Sequence, residues 1–249
     1  LEHKMFDTKE GNALQELAAN GASPNAFTSN AITGYYFEST EKFEENLRIL
    51  LSFVSIPYFT KESVDKEQGI IGQEIGMIED DPDWVVFMDL MQALYEKHPV
   101  RVSVAGSAES ISHITAETLY ACHKAFYDPS NMVLCVAGDV DPEKICQAAR
   151  EILPERPGAP VARGDYGAQE PAEVCQPMIQ REMEVSVPLF QLGFKGEAAP
   201  EGEGALRQQL LGELACEALL GNSGPLYARL YREGLVNRNF SYGYESYPG

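Results

Sequence analysis

The sequence predicts an α+β chain in which a mixed or antiparallel sheet packs against helices. Two observations carry that prediction and a third narrows it. Ser23 to Ser29 and Ile32 to Phe37 follow one another closely, and both read as strands; the second is rich in β-branched and aromatic residues. Helical patterns come in groups around them, whereas a parallel sheet would alternate single helices with single strands. No nucleotide-binding glycine fingerprint opens a helix, since Gly69, Gly72 and Gly76 all lie inside one helical pattern.

The elements follow in order. Leu1 to Asn20 reads as helix: Leu14 and Leu17 stand three apart, and Asn20-Gly21 is a stop followed by a turn. After the two strands, Ser39-Thr40 can cap an amphipathic helix carrying Phe43, Leu47, Leu50 and Leu51. A second helix starts near Thr60, holds Glu62 and Glu67 early, and runs to about Asp80, where Asp80-Asp81-Pro82 breaks the pattern. A third carries Trp84, Phe87, Met88, Met91 and Leu94 at helical spacing, the pattern of a core face.

His98 to Ser112 reads as loop, and Thr115 opens a helix through Phe126. The apolar run Asn131 to Ala137 reads as a buried strand with Cys135 in its core. Asp141-Pro142-Glu143 starts a helix with proline at its first position. Pro154 to Pro177, rich in Pro and Gly and without periodicity, reads as a linker. Beyond it, Glu184 to Phe194 has strand character, Glu203 to Leu220 and Pro225 to Glu233 are helical, and Phe240 onward is strand-like. These readings divide the chain into a first domain over 1–152, a linker over 153–182 and a second domain over 183–249. That last stretch is short for an independent domain.

Composition excludes several functions. A net charge of −19 opposes binding to a phosphate backbone, so no nucleic-acid partner is expected. The same charge keeps a chain soluble, and a carboxylate-lined cleft would favour basic peptides. No apolar run approaches the roughly 20 residues that cross a bilayer, and no signal-peptide pattern opens the chain, so no membrane partner is expected. The cysteines, Cys122, Cys135, Cys146, Cys175 and Cys216, are odd in number and form no C-x-x-C pair. That argues against a disulfide framework or a thiolate zinc site and fits a reducing cytoplasm.

Three segments carry chemistry when taken together. The first is Leu1-Glu2-His3-Lys4-Met5-Phe6. The second is Glu67-Gln68-Gly69-Ile70-Ile71-Gly72-Gln73-Glu74-Ile75, in which Glu67 and Glu74 share a helix face about 10 Å apart along the axis. The isoleucines of that helix argue for burial, which makes an inward carboxylate notable. The third is Ser23-Pro24-Asn25-Ala26-Phe27-Thr28-Ser29 with Thr33-Gly34-Tyr35-Tyr36-Phe37. Taken singly, each also reads as an ordinary helix end, a solvated helix or a plain hairpin. His98, His113 and His123 have no partner at ligand spacing and read as structural or surface residues.

In this order the segments resemble the insulinase and pitrilysin metallopeptidases with an inverted zinc motif, H-x-x-E-H, of the bacterial processing-peptidase kind. Phe126 to Val140 resembles the strand that completes the family's catalytic domain, and Gly221 to Leu235 a helix and turn of its second repeat. The resemblance implies two related domains and a zinc cofactor, Zn2+. Glu2 corresponds to the catalytic base, His3 and Glu74 to metal ligands, and Glu67 to a supporting carboxylate. Glu74 stands 71 residues after His3, the spacing such members show.

Asn25, Ala26, Phe27 and Thr28 correspond to the strand against which a peptide substrate adds. Where the family follows with Ala-Tyr-Ser, this chain has Val236-Asn237-Arg238, so Arg232 receives no substrate-binding role. The implied partners are a peptide substrate and a second half that encloses it, in the same chain, in a homodimer or in a paralogous partner subunit. The motif's first histidine would fall three residues before Glu2. Both domains are therefore expected to be incomplete, and the chain alone to be inactive. A non-catalytic partner subunit and a peptide-binding module remain as alternatives.

Overall fold

The structure is a computed structural model that describes residues 1–153, 170–198, 200 and 202–247. It is helix-rich with a small antiparallel sheet, an α+β arrangement. The described residues form two compact units. One takes Leu1–Val86 and the described residues from Val102 to 153; the other takes Phe87–Arg101 and the described residues from 170 onward.

In the first unit, α1 (Glu2–Met5) and α2 (Ala13–Ala19) replace the single opening helix that the spacing predicts. The chain turns between them at Thr8–Gly11, and the Asn12 side chain accepts the Leu14 N–H at 3.0 Å. An N-cap there starts a new helix, which the leucine spacing alone could not reveal. Strands β1 (Ser23–Thr28) and β2 (Thr33–Glu38) pair antiparallel, from Ser23 opposite Glu38 to Thr28 opposite Thr33.

Helix α3 (Phe43–Ser55) starts at Lys42, whose φ of 51° is left-handed, so Ser39-Thr40 is not its cap. Helix α4 (Lys61–Glu79) starts where predicted, at a reciprocal cap: Thr60 accepts from the Ser63 N–H, and the Ser63 hydroxyl meets the Thr60 N–H in return. Helix α5 (Pro82–Leu94) follows the break at Asp80-Asp81. Of the predicted loop over His98–Ser112, part is helical: a short 3-10 turn and α6 (Ala108–Ser112). Helices α7 (Ala116–Phe126) and α8 (Pro142–Ile152) begin at the Thr115 and Asp141 caps.

The main core gathers Met5, Phe6, Leu17, Phe53, Val54, Phe59, Val64 and Leu119. Leu47 and Leu51 of α3 pack separately against Ala148 of α8. The run 131–137 is not a strand. Among the described residues it has no ladder partner, Val133 is 92% exposed, and Cys135 is exposed rather than core. A strand without a neighbour cannot satisfy its backbone groups or bury its side chains.

In the second unit, Met91, Leu94 and Val100 form the core with Phe87, Leu90, Tyr95 and Tyr247 around them. The terminal carbonyls of α5 accept from Gln176 N–H (3.0 Å, to Ala93) and Cys175 N–H (3.4 Å, to Leu94). Helices α9 (Glu203–Leu220) and α10 (Pro225–Arg232) stand where the periodicity places them. The strand-like stretches Glu184–Phe194 and Phe240 onward form no ladder among the described residues, for the same reason as 131–137. Most of the predicted Pro-rich linker lies outside the described residues. None of the described helices is long and apolar enough to cross a membrane.

Candidate active site

The site is built on α1. Met5 is fully buried and Phe6 nearly so, and the Phe6 ring packs tilted on Phe53 (5.0 Å between centroids) and edge-on to Tyr35 (5.6 Å). This apolar anchor fixes a four-residue helix that would have no stability alone. Glu2 and His3 are thereby left on its outer side, half-buried and exposed respectively.

The His3 Nδ1 lies 3.0 Å from Oε1 of Glu67 on α4. A carboxylate only accepts, so Nδ1 carries the hydrogen of this pair; in a neutral ring that puts the lone pair on Nε2. Glu67 sits on the flank of α4 whose buried side carries Val64 and Ile75, and its side chain is only 16% exposed. Its other oxygen, Oε2, accepts from Lys4 Nζ at 3.4 Å, and Lys4 also pairs with Asp7 at 2.5 Å. Glu74, seven residues along α4 and on the same flank, is exposed.

Glu2 accepts a hydrogen bond from the Thr28 hydroxyl, at the end of β1. Beneath it lies a phenol pair: Tyr35 and Tyr127 hydroxyls stand 2.7 Å apart. Burial, the Tyr127 hydroxyl and the Glu2 carboxylate together hold the Tyr35 phenol far above its ordinary range, so it stays neutral. His123 stacks on Tyr127 at 4.8 Å, and its Nε2 meets the Val54 carbonyl at 2.9 Å. Burial lowers its pKa, which fits a structural rather than a ligating histidine. His98 is likewise built in: its Nδ1 accepts the Val100 N–H at 3.1 Å.

Along β1, Asn25 and Phe27 face outward, while Pro24 and Ala26 are half-buried. Among the described residues β1 pairs with β2 alone, so its other edge makes no ladder. The Phe27 ring lies across Gly34, its partner in register: a Cβ at Gly34 would stand 2.5 Å from the ring.

The structure thus joins His3 to Glu67 and Glu2 to Thr28. Among the described residues no three His, Cys, Asp or Glu groups come together at metal-holding spacing. The donor chemistry fits zinc in kind, since a ligating histidine commonly gives its second ring N–H to a carboxylate. In number it falls short of the three protein ligands of a catalytic site. Lys4 and the Tyr35–Tyr127 pair were not legible as site residues. The i,i+3 spacing of Lys4 and Asp7 beside the histidine was the available signal for the first.

Residues 1–108 match the family model described as Insulinase (Peptidase family M16). Residues 113–249, more than half of the chain, match the one described as Peptidase M16 inactive domain. The chain belongs to the M16 peptidase family. A Bacillus subtilis relative named uncharacterized zinc protease YmfH is 41% identical over 253 residues, covering 100% of this chain and 59% of that protein. An Arabidopsis thaliana protein named as a probable mitochondrial-processing peptidase subunit beta is 26% identical over 204 residues, 80% of this chain and 38% of that one. A crystal structure of an M16-like peptidase from Alicyclobacillus acidocaldarius superimposes with a TM-score of 0.83 at 33% identity, over 100% of this chain and 59% of that chain. The M16 chain described here therefore spans 59% of the length of the Bacillus and Alicyclobacillus relatives.

Proposed function

We propose that this M16 chain contributes the general base and part of the metal-binding set of a zinc-dependent endopeptidase. The observation that carries the reading is the His3–Glu67 pair, 3.0 Å apart, beside Glu2, which accepts from Thr28 at the end of β1, a strand that among the described residues pairs with β2 alone. His3 through Nε2 and Glu74 are the donors this chain would offer, with Glu67 fixing the imidazole from behind. Zinc held there would supply a Lewis acid that polarises the scissile carbonyl and makes water acidic enough to attack near neutral pH.

Glu2 then takes the proton of the attacking water and returns it to the departing amine. The Thr28 hydroxyl, donating to Glu2, aims that carboxylate. A peptide adds as a strand along Asn25, Ala26, Phe27 and Thr28, pairing through its backbone and therefore with little demand on sequence. A second half would close over it and exclude water, supplied by a longer chain, a second copy or a paralogous subunit. The inactive-domain description of residues 113–249 favours placing the chemistry in the first 108 residues. Because the described residues gather no three-ligand cluster, the 249-residue chain by itself is expected to hydrolyse no peptide.

The test counts zinc per chain after dialysis, in protein expressed with whatever coding sequence precedes Leu1, beside His3→Ala. One zinc, lost in the variant, with peptide hydrolysis abolished by Glu2→Gln, supports the reading. No zinc in either protein would overturn it and favour a non-catalytic partner subunit.

A further inference from the structure

We infer that Lys4 is a positioning residue, which sets the orientation and tautomer of His3 by clamping Glu67 between them. The inference rests on the peptidase reading only for its purpose; its geometry stands on metal-free contacts. Two adjacent residues of α1 meet one carboxylate of α4, each at a different oxygen: His3 Nδ1 at Oε1 and Lys4 Nζ at Oε2.

The need for two contacts follows from the glutamate side chain. Its terminal torsion is broad, so one hydrogen bond leaves the carboxylate plane free to swing. Holding both oxygens fixes the plane and keeps Oε1 on Nδ1. The ammonium is itself held, because Lys4 is 8% exposed and Asp7 grips it at 2.5 Å. A long, flexible lysine becomes a fixed strut when its stem is buried and its head is paired twice. The imidazole, by contrast, is 41% exposed, so packing alone does not hold it. With Nδ1–H donated to Glu67, the neutral ring keeps its lone pair on Nε2, the atom that can then meet a Lewis acid.

A merely structural lysine would leave the His3 tautomer unchanged when replaced, and that separates the two roles. The experiment is 15N NMR of the metal-free full chain, labelled at its four histidines, at about pH 8.5, above the ordinary range of a free imidazole. His3→Ala assigns the His3 signals. In the wild type, His3 is expected as the Nδ1–H form. In Lys4→Met it shifts towards the Nε2–H form that free imidazole favours, and Lys4→Arg restores it. In a Glu67→Gln background, Lys4→Met should produce no further shift. Zinc affinity, read separately on the zinc-binding protein, should fall about 10-fold in Lys4→Met, the low end for loss of a group behind a ligand.

A wild-type His3 already in the Nε2–H form, or one unmoved by Lys4→Met, would overturn the inference. If Lys4→Met does not fold, Lys4→Leu, which also lacks a donor, carries the same expectation; failure of both to fold would make Lys4 structural and overturn it equally. Loss of zinc binding in the wild type would sink the peptidase reading while leaving the tautomer result to judge Lys4.

Discussion

Replacing Glu170 by Gln should loosen the second unit by about 3 kcal/mol at neutral pH, and the loss should fade in acid. The Glu170 carboxylate accepts the backbone N–H groups of Glu96, Lys97 and His98 at 2.7–2.8 Å and pairs with Lys195 Nζ at 2.6 Å. Burial alone would raise its pKa, but Lys195 and the three N–H groups outweigh it and bring the value to about 2, against an ordinary 4.5. That gap is worth at most about 3 kcal/mol at 1.36 per unit. With only 10% of the side chain exposed, screening removes little of it. Stripping Lys195, 5% exposed, of its counter-charge should cost a similar amount by another route.

The sign follows from linkage. A folded-state pKa below the unfolded one stabilises fully above about 4.5, and the contribution is lost as pH falls towards 2. Hydrogen exchange of amides 96–98, read by mass spectrometry and corrected for intrinsic rates, reports this locally. Protection should drop on the order of 100-fold in Glu170→Gln at pH 7, the equivalent of about 3 kcal/mol. The two proteins should converge as the pH approaches about 2. Equal protection at neutral pH, or a difference that persists undiminished in acid, would refute the reasoning.

Two further outcomes are expected. Gly69→Ala should stabilise helix α4 by about 0.5–1 kcal/mol, because among the described residues nothing beyond the helix's own adjacent backbone lies within 4 Å of the added Cβ and alanine is the better helix former; a urea melt detects it. Tyr127→Phe should cost about 1 kcal/mol in thermal unfolding by leaving the half-buried Tyr35 hydroxyl without its 2.7 Å partner, and Tyr35→Phe should then add little in the double variant.

Local patterning placed most helices because their signals are short-range. Thr60, Thr115 and Asp141 cap where a hydroxyl or carboxylate precedes an apolar period, and the Pro225 start is likewise local. The hairpin was legible because its strands are neighbours in sequence. Residues 131–137 and 184–194 were misread because an apolar run states only a preference for burial. A strand exists only where another backbone completes its hydrogen bonds, and no local window contains that information.

The same division holds at the site. The order of Glu2, His3, the Asn25–Thr28 strand and Glu74 pointed to the family from sequence alone, as the family models bear out, because each motif is a local pattern on one helix or strand. Tertiary structure alone decided which carboxylate meets the imidazole: Glu67, 64 residues away, rather than Glu74. It also decided that Lys4 turns inward and that Thr28 donates to Glu2. These contacts depend on how α1 is pinned by Met5 and Phe6 against α4 and the hairpin, and packing between elements distant in sequence leaves no period to read.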